Sequence, residues 1–185
     1  IVAGVTFAQV QQRQVVQQRK PLSQQPENRK IYLLHANTLS YDKTLDAERQ
    51  VLKGEVQFRQ DSVYMYCDSA YFWESTNSMQ AFSNVRMVQG DTLSMHCDSM
   101  SYDGNRMFAE LFDHVKLVHN TTVLTTEYMT YDRVEAVAHY PYSGTITDPD
   151  NDLNSMMGWY YPNPKIAEFR NEVVLQNYDT AHVLQ

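Results

Sequence analysis

Two cysteines, six histidines and a recurring carboxylate are the side chains whose type and spacing could do chemistry here. Cys67 and Cys97 occupy equivalent places, each followed by Asp and Ser. A disulfide is the first thought for such a pair in an exported protein. If each repeat supplies two antiparallel strands, however, equivalent residues lie about 9–10 Å apart. A bridge needs Cα atoms within about 7 Å. The spacing therefore predicts free, inward-facing thiols. His96, Cys97 and Asp98 sit side by side, but strand alternation puts His96 and Cys97 on opposite faces, which disfavours a metal site. The histidines form no HxH or HExxH pattern. Asn37, Asp68, Asp98 and Glu127 recur in register and resemble paired glycosidase carboxylates. Their periodicity instead predicts a structural role at a bend, accepting backbone N–H groups freed by a bulge. No Ser-His-Asp elbow, P-loop or phosphate cradle accompanies them. The reading is of a protein that is not an enzyme and needs no cofactor.

The elements that position these residues come from a repeat of about 30 residues, clearest in 62–91 and 92–121. Stacked repeats make a quasi-one-dimensional body that works through a long surface rather than one pocket. Five copies align, starting near Ile31, Ser62, Thr92, Thr122 and Asp152. One apolar column holds Leu34, Met65, Met95, Leu124 and Leu153, and a second holds Leu39, Ala70, Met100, Met129 and Gly158. An aromatic column holds Tyr41, Phe72, Tyr102, Tyr131 and Tyr160. The second half of each copy carries Val56, Val85, Val115, Ile146 and Val173. A turn-prone position precedes each: Gly54, Ser83, Asp113, Gly144 and Asn171. Alternation within each copy is period two, the strand signature. Its phase slips at Asp68 and Ser69, which predicts a bulge or sharp bend there. Each half-repeat thus reads as a strand that bends once and serves two facing sheets. Tyr102 to Asn105, Gln89 to Asp91 and Asp148 to Asn151 read as turns. Residues 44–50 are the only weak helical candidate. The fold class is all-β, with an apolar seam between the sheets. Columns of Met, Val, Leu and aromatics line a dry core as readily as a lipid groove.

Composition narrows the classes. The formal net charge is −7 and no basic stripe is visible, which disfavours nucleic acid. Arg59, Arg86 and Lys116 flank the second-half column; they suit either lipid phosphates at a groove rim or a solvated face that discourages edge pairing. Residues 1–8 read as the end of a secretory leader, with Thr6 and Ala8 small before a cleavage site, or else as an apolar terminal strand. Residues 9–30 are Gln-rich with Pro21 and Pro26 and lack periodicity, the mark of a solvated tether. The expected division is 1–30 as leader remnant and disordered linker, and 31–185 as the β-repeat domain.

Leu39-Ser40-Tyr41-Asp42, Gly54-Glu55-Val56, Asp91-Thr92-Leu93, Ser101-Tyr102-Asp103, Val115-Lys116-Leu117, Tyr131-Asp132 and Gly144-Thr145-Ile146 together resemble the OstA-like family of lipopolysaccharide-transport proteins, in its Bacteroidota-like version. The resemblance implies an LptA-like antiparallel β-jellyroll and export to the periplasm. It further implies binding of lipopolysaccharide or lipid A in the seam, and end-to-end strand pairing with other OstA-like modules. On that reading the groove is lined by Leu34, Leu39, Val56, Met65, Phe72, Val85, Met87, Met95, Met100, Tyr102, Val115, Leu117 and Met129. A structural or adhesive β-repeat stalk with a dry core is the rival class. A carbohydrate-active β-solenoid is weaker, because the aromatic column faces inward.

Overall fold

The period-two alternation becomes antiparallel strand almost throughout. This computed structural model describes residues 29–41, 48–178 and 183–184. Two short strands, β1 (Tyr32–His35) and β2 (Thr38–Tyr41), precede six long ones: β3 (Arg49–Gln60), β4 (Val63–Trp73), β5 (Ser78–Gln89), β6 (Leu93–Asp103), β7 (Phe108–His119) and β8 (Thr122–Asp132). Shorter strands follow: β9 (Val137–Tyr140), β10 (Gly144–Thr147), β11 (Asn151–Ser155), β12 (Met157–Tyr161), β13 (Ile166–Arg170), β14 (Val174–Asn177) and β15 (Val183–Leu184). All belong to one sheet.

The sheet is folded along a line that crosses every long strand. Register slips between Lys53 and Val56, between Phe82 and Val85, and between Phe112 and Val115. At each slip two consecutive residues take positive φ: Gly54 and Glu55, Ser83 and Asn84, Asp113 and His114; Asn171 and Glu172 do the same before β14. Paired left-handed residues bend the strand sharply, and Gly, Asn and Asp tolerate that region best. The turn-prone column seen in the sequence is therefore the fold line. The expected bend does cross β4 at Asp68 and Ser69, where the inward parity switches, but the extra residue of each bulge sits on β3, β5 and β7. Gly144 is a further correction. It pairs with Thr126, as Val115 does, so Ile146 belongs with Leu117 and the fourth copy aligns two residues away from the expected register.

The fold line divides the sheet into two facing wings. On wing two an unbroken inward row runs Leu33, Phe58, Met65, Met87, Met95, Leu117, Leu124, Ile146, Leu153, Leu175 across neighbouring strands. On wing one a row runs Phe72, Met79, Tyr102, Ala109, Tyr131, Ala138, Tyr160, Ala167. From Tyr102 on, a large ring alternates with alanine, which leaves each ring the room to reach the opposite wing. The wings meet directly: the Phe58 and Phe72 rings, one from each, lie 5.4 Å apart. Burial of each such side chain is worth about 1.5–3 kcal/mol, so the seam is the core.

At the ends the strands break at the fold line into separate pieces, β1 with β2, β9 with β10, β11 with β12, and β13 with β14. The expected leader and most of the linker, 1–28, lie outside the described residues, as do 44–47 of the helical candidate. Glu48 to Gln50 of that candidate are turn and strand. Arg29 and Lys30, assigned to the linker, instead dock on the body: Arg29 Nη1 donates to Asn105 O at 3.0 Å and Lys30 pairs with Glu74 at 2.9 Å.

Candidate functional site

Eleven of the thirteen groove candidates converge in the seam. Val56, Met65, Phe72, Val85, Met87, Met95, Met100, Tyr102, Val115, Leu117 and Met129 are all buried. Along β3 to β8 the seam is filled by these side chains. Leu39 lies opposite Leu52, on a second inward row of wing one that continues to Ala70, yet is 46% exposed at the sheet's first edge. Leu34 is a correction: it is 48% exposed, and Leu33 takes the inward place opposite Phe58. The sequence offers two adjacent leucines, and only pairing with β3 chooses between them.

The remaining chemistry-bearing residues resolve by face. Cys67 and Cys97 are free and buried, on β4 and β6 with β5 between them. Burial pushes their thiols up to about 11 and about 12. His96 is exposed while Cys97 is buried, and among the described residues no cluster suited to a metal ion occurs. The carboxylate column braces the fold line mainly through side chains. Asp68 accepts from Asn84 Nδ2 at 2.6 Å, and Asp98 pairs with His114 Nδ1 at 2.8 Å. Only Glu127 takes a backbone N–H, that of His114 at 3.2 Å, so the expected backbone role holds at one position. The His114 pair raises the ring's pKa above its ordinary value, first through the hydrogen bond and then through charge.

Opposite the fold line lies the mouth, where the wings' free ends meet, and a polar ladder crosses it. Gln60, Gln89 and His119 are the last residues of β3, β5 and β7 on wing two. They meet Tyr102, Tyr131 and Tyr160 of wing one. On the first rung the Tyr102 hydroxyl donates to Gln60 Oε1. Arg133 Nη1 donates to the same oxygen at 2.5 Å and to Tyr102 Oη at 2.7 Å. The second rung, Tyr131 to Gln89, is long at 3.5 Å. The third joins His119 Nδ1 and Tyr160 Oη at 2.8 Å. Burial lowers the His119 pKa, with Lys165 adding to it, which favours the neutral ring. With Asn120 Nδ2 as the donor to Nε2 at 3.2 Å, the neutral tautomer carries its proton on Nδ1 and donates to Tyr160. Burial also raises all three tyrosines, Tyr131 to about 12. The sequence reading found the aromatic column but missed its partners. The available signal was a polar residue at an inward-parity position, two places after Phe58, Met87 and Leu117.

The two ends of the seam differ. At the first end residues 29–31 strap across the mouth. Ile31 is buried, its N–H donates to Asn77 Oδ1 at 2.8 Å, and Gln60 and Asn77 both donate to Arg29 O. At the other end the same inward rows no longer meet. Ile146, Leu153 and Leu175 of wing two and Tyr160, Ala167 and Phe169 of wing one line a cavity of about 260 Å³. Thr122, Asp148, Asn151 and Lys165 supply its polar lining. The hollow at Tyr66, Arg86, His96 and His114, by contrast, lies along the fold line with a largely polar lining.

A family model described as OstA-like protein matches residues 28–182. The chain belongs to the OstA-like family. The all-β, bent-strand jellyroll architecture expected of such a module is the one observed. No curated protein matches this OstA-like chain. Among solved structures it is similar to LptH of Pseudomonas aeruginosa, described as the LptA-homologous periplasmic component of the conserved lipopolysaccharide transport device. Identity is 11%, coverage is 79% of this chain and 87% of that one, and the TM-score is 0.32, too loose a likeness to align sites.

Proposed function

We propose that this OstA-like chain is a non-enzymatic periplasmic module that carries lipopolysaccharide or a related amphiphile toward the outer membrane. In this reading acyl chains enter the seam from its last-strand end, and the head group stays in water at the mouth. One observation carries it: the inward rows that fill the seam continue, unfilled, into the cavity lined by Ile146, Leu153, Tyr160, Phe169 and Leu175. Each methylene buried there contributes about 0.8 kcal/mol, so no strong polar contact is needed. Similar modules join by strand addition at the sheet's two edges. A structural stalk is the second reading, favoured by the complete burial of the seam along β3 to β8.

Photoreactive residues at Leu175 and Phe169, with Gln57 on the outer face as the control, decide between them. The conduit reading expects lipid A crosslinks at the first two only. Equal crosslinking at all three, or none, removes it and leaves the stalk. Arg at Met100 or Val115 is the poorer test, since both are fully buried and a charge there would unfold the body.

A further inference from the structure

The wings belong to one sheet, so their backbone hydrogen bonds run along each wing and do not tie wing to wing across the mouth. What holds the mouth shut is apolar contact, the strap of residues 29–31 at the first end, and the ladder of Tyr102 with Gln60, Tyr131 with Gln89 and Tyr160 with His119. Opposite the ladder, the left-handed pairs at 54–55, 83–84 and 113–114 form the crease about which the wings would turn. Hydroxyl and amide groups released at the mouth meet water, which replaces most of each bond, so a neutral rung holds the closed state by only about five-fold. We infer that the ladder is the gate of the seam, and that it releases from the Tyr160 end first.

The direction follows from the chemistry of the rungs. The first is braced by the Arg133 guanidinium and, through Gln60 Nε2, by the carbonyls of Gly104 and Arg29. Charge-assisted hydrogen bonds are roughly twice as strong as neutral ones. The second rung, at 3.5 Å, contributes little. The third joins Tyr160 to His119, with Thr122 as a further partner of the same hydroxyl; it has no charged group in it and borders the end cavity, of which Tyr160 is itself a wall. Release there joins the cavity to the filled seam. This deepens the conduit reading by naming what regulates the same seam, and it rests on that reading only for what enters.

Seam opening can be read without lipid. Ala138 lies between Tyr131 and Tyr160 across neighbouring strands, Ala109 lies between Tyr102 and Tyr131, and both are fully buried. In the full chain with Cys67 and Cys97 replaced by Ala, Ala138→Cys and Ala109→Cys report opening by their rate of labelling with a maleimide. The gate expects faster labelling at 138 than at 109, with a urea dependence shallower than that of global unfolding. Tyr160→Phe should speed labelling at 138 by about five-fold, the weight of one neutral hydrogen bond. Tyr128→Phe is the control: its hydroxyl bonds Glu110 within wing one at 3.0 Å, so it should change neither rate. Equal rates at both reporters that follow global unfolding, or a Tyr160→Phe effect no larger than that of Tyr128→Phe, overturn the gate. If labelling behaves as expected but lipid A crosslinks nowhere, the gate stands and the conduit reading falls.

Discussion

Gly158→Ala should destabilise the protein by jamming one ring. Gly158 in β12 lies opposite Tyr140 in β9, and Tyr140 is fully buried. A Cβ at 158 would stand 2.5 Å from Tyr140 Cζ and 2.7 Å from Cε1; one at Gly144 would stand 2.7 Å from Cδ2 and Cε2. The ring is thus held between two missing side chains, and its hydroxyl is tied to Ser155 Oγ at 2.7 Å. It cannot move without losing that bond. Overpacking costs about 1–3 kcal/mol, and the lost hydrogen bond adds about 1 kcal/mol. Replacing Gly within a strand returns about 0.5–1 kcal/mol through backbone entropy. The net is about 2 kcal/mol, or roughly 4–8 °C in Tm for a body of this size. Urea unfolding of the full chain measures it. Tyr140→Leu, which removes the ring, supplies the second arm of a double-mutant cycle. The two changes should couple favourably by at least about 1 kcal/mol. Strict additivity, or a Gly158→Ala protein as stable as its parent, would refute the account of why glycine stands there.

Two further outcomes concern the strap and the outer strands. Deleting 1–28 should leave the thermal midpoint unchanged, whereas deleting 1–31 should lower it by several degrees. The longer deletion removes buried Ile31 and the carbonyl that accepts from Gln60 and Asn77, a loss of about 3 kcal/mol; equal midpoints would show that the strap is idle. Light scattering across a concentration series should show oligomers that lengthen without fixed stoichiometry, since edge strands such as β1 and β15 template pairing. Pro at Val183, which pairs with Gln176, should shorten them, and a strictly monomeric protein would remove strand addition.

Much of the fold was legible because strand parity is written locally. The columns through Met65, Met95 and Leu124 and through Phe72, Tyr102 and Tyr131 are inward rows of the sheet. Four of the five turn-prone positions mark the crease. Two of the failures share one cause. Leu34 for Leu33, and Ile146 for Gly144 beside Val115, are register errors in the outer copies. There the strands break into short pieces, and cross-strand pairing, not spacing along the chain, fixes the face. The bend at Asp68 and Ser69 of β4 is legible as the phase slip, whereas the left-handed pair that produces it lies on the neighbouring strand.

The sequence by itself determined a repeated, bent, antiparallel β body with one apolar lining, because alternation and repeat period are properties of neighbouring residues. Whether that lining is filled or open was decided only in three dimensions. It depends on how closely two wings approach, and so on contacts between residues about 40 positions apart, such as Gln60 with Tyr102 and His119 with Tyr160. Ring volume against alanine or glycine closes the seam through its middle. At the last strands the same rows diverge and leave the cavity that no single copy of the repeat encodes.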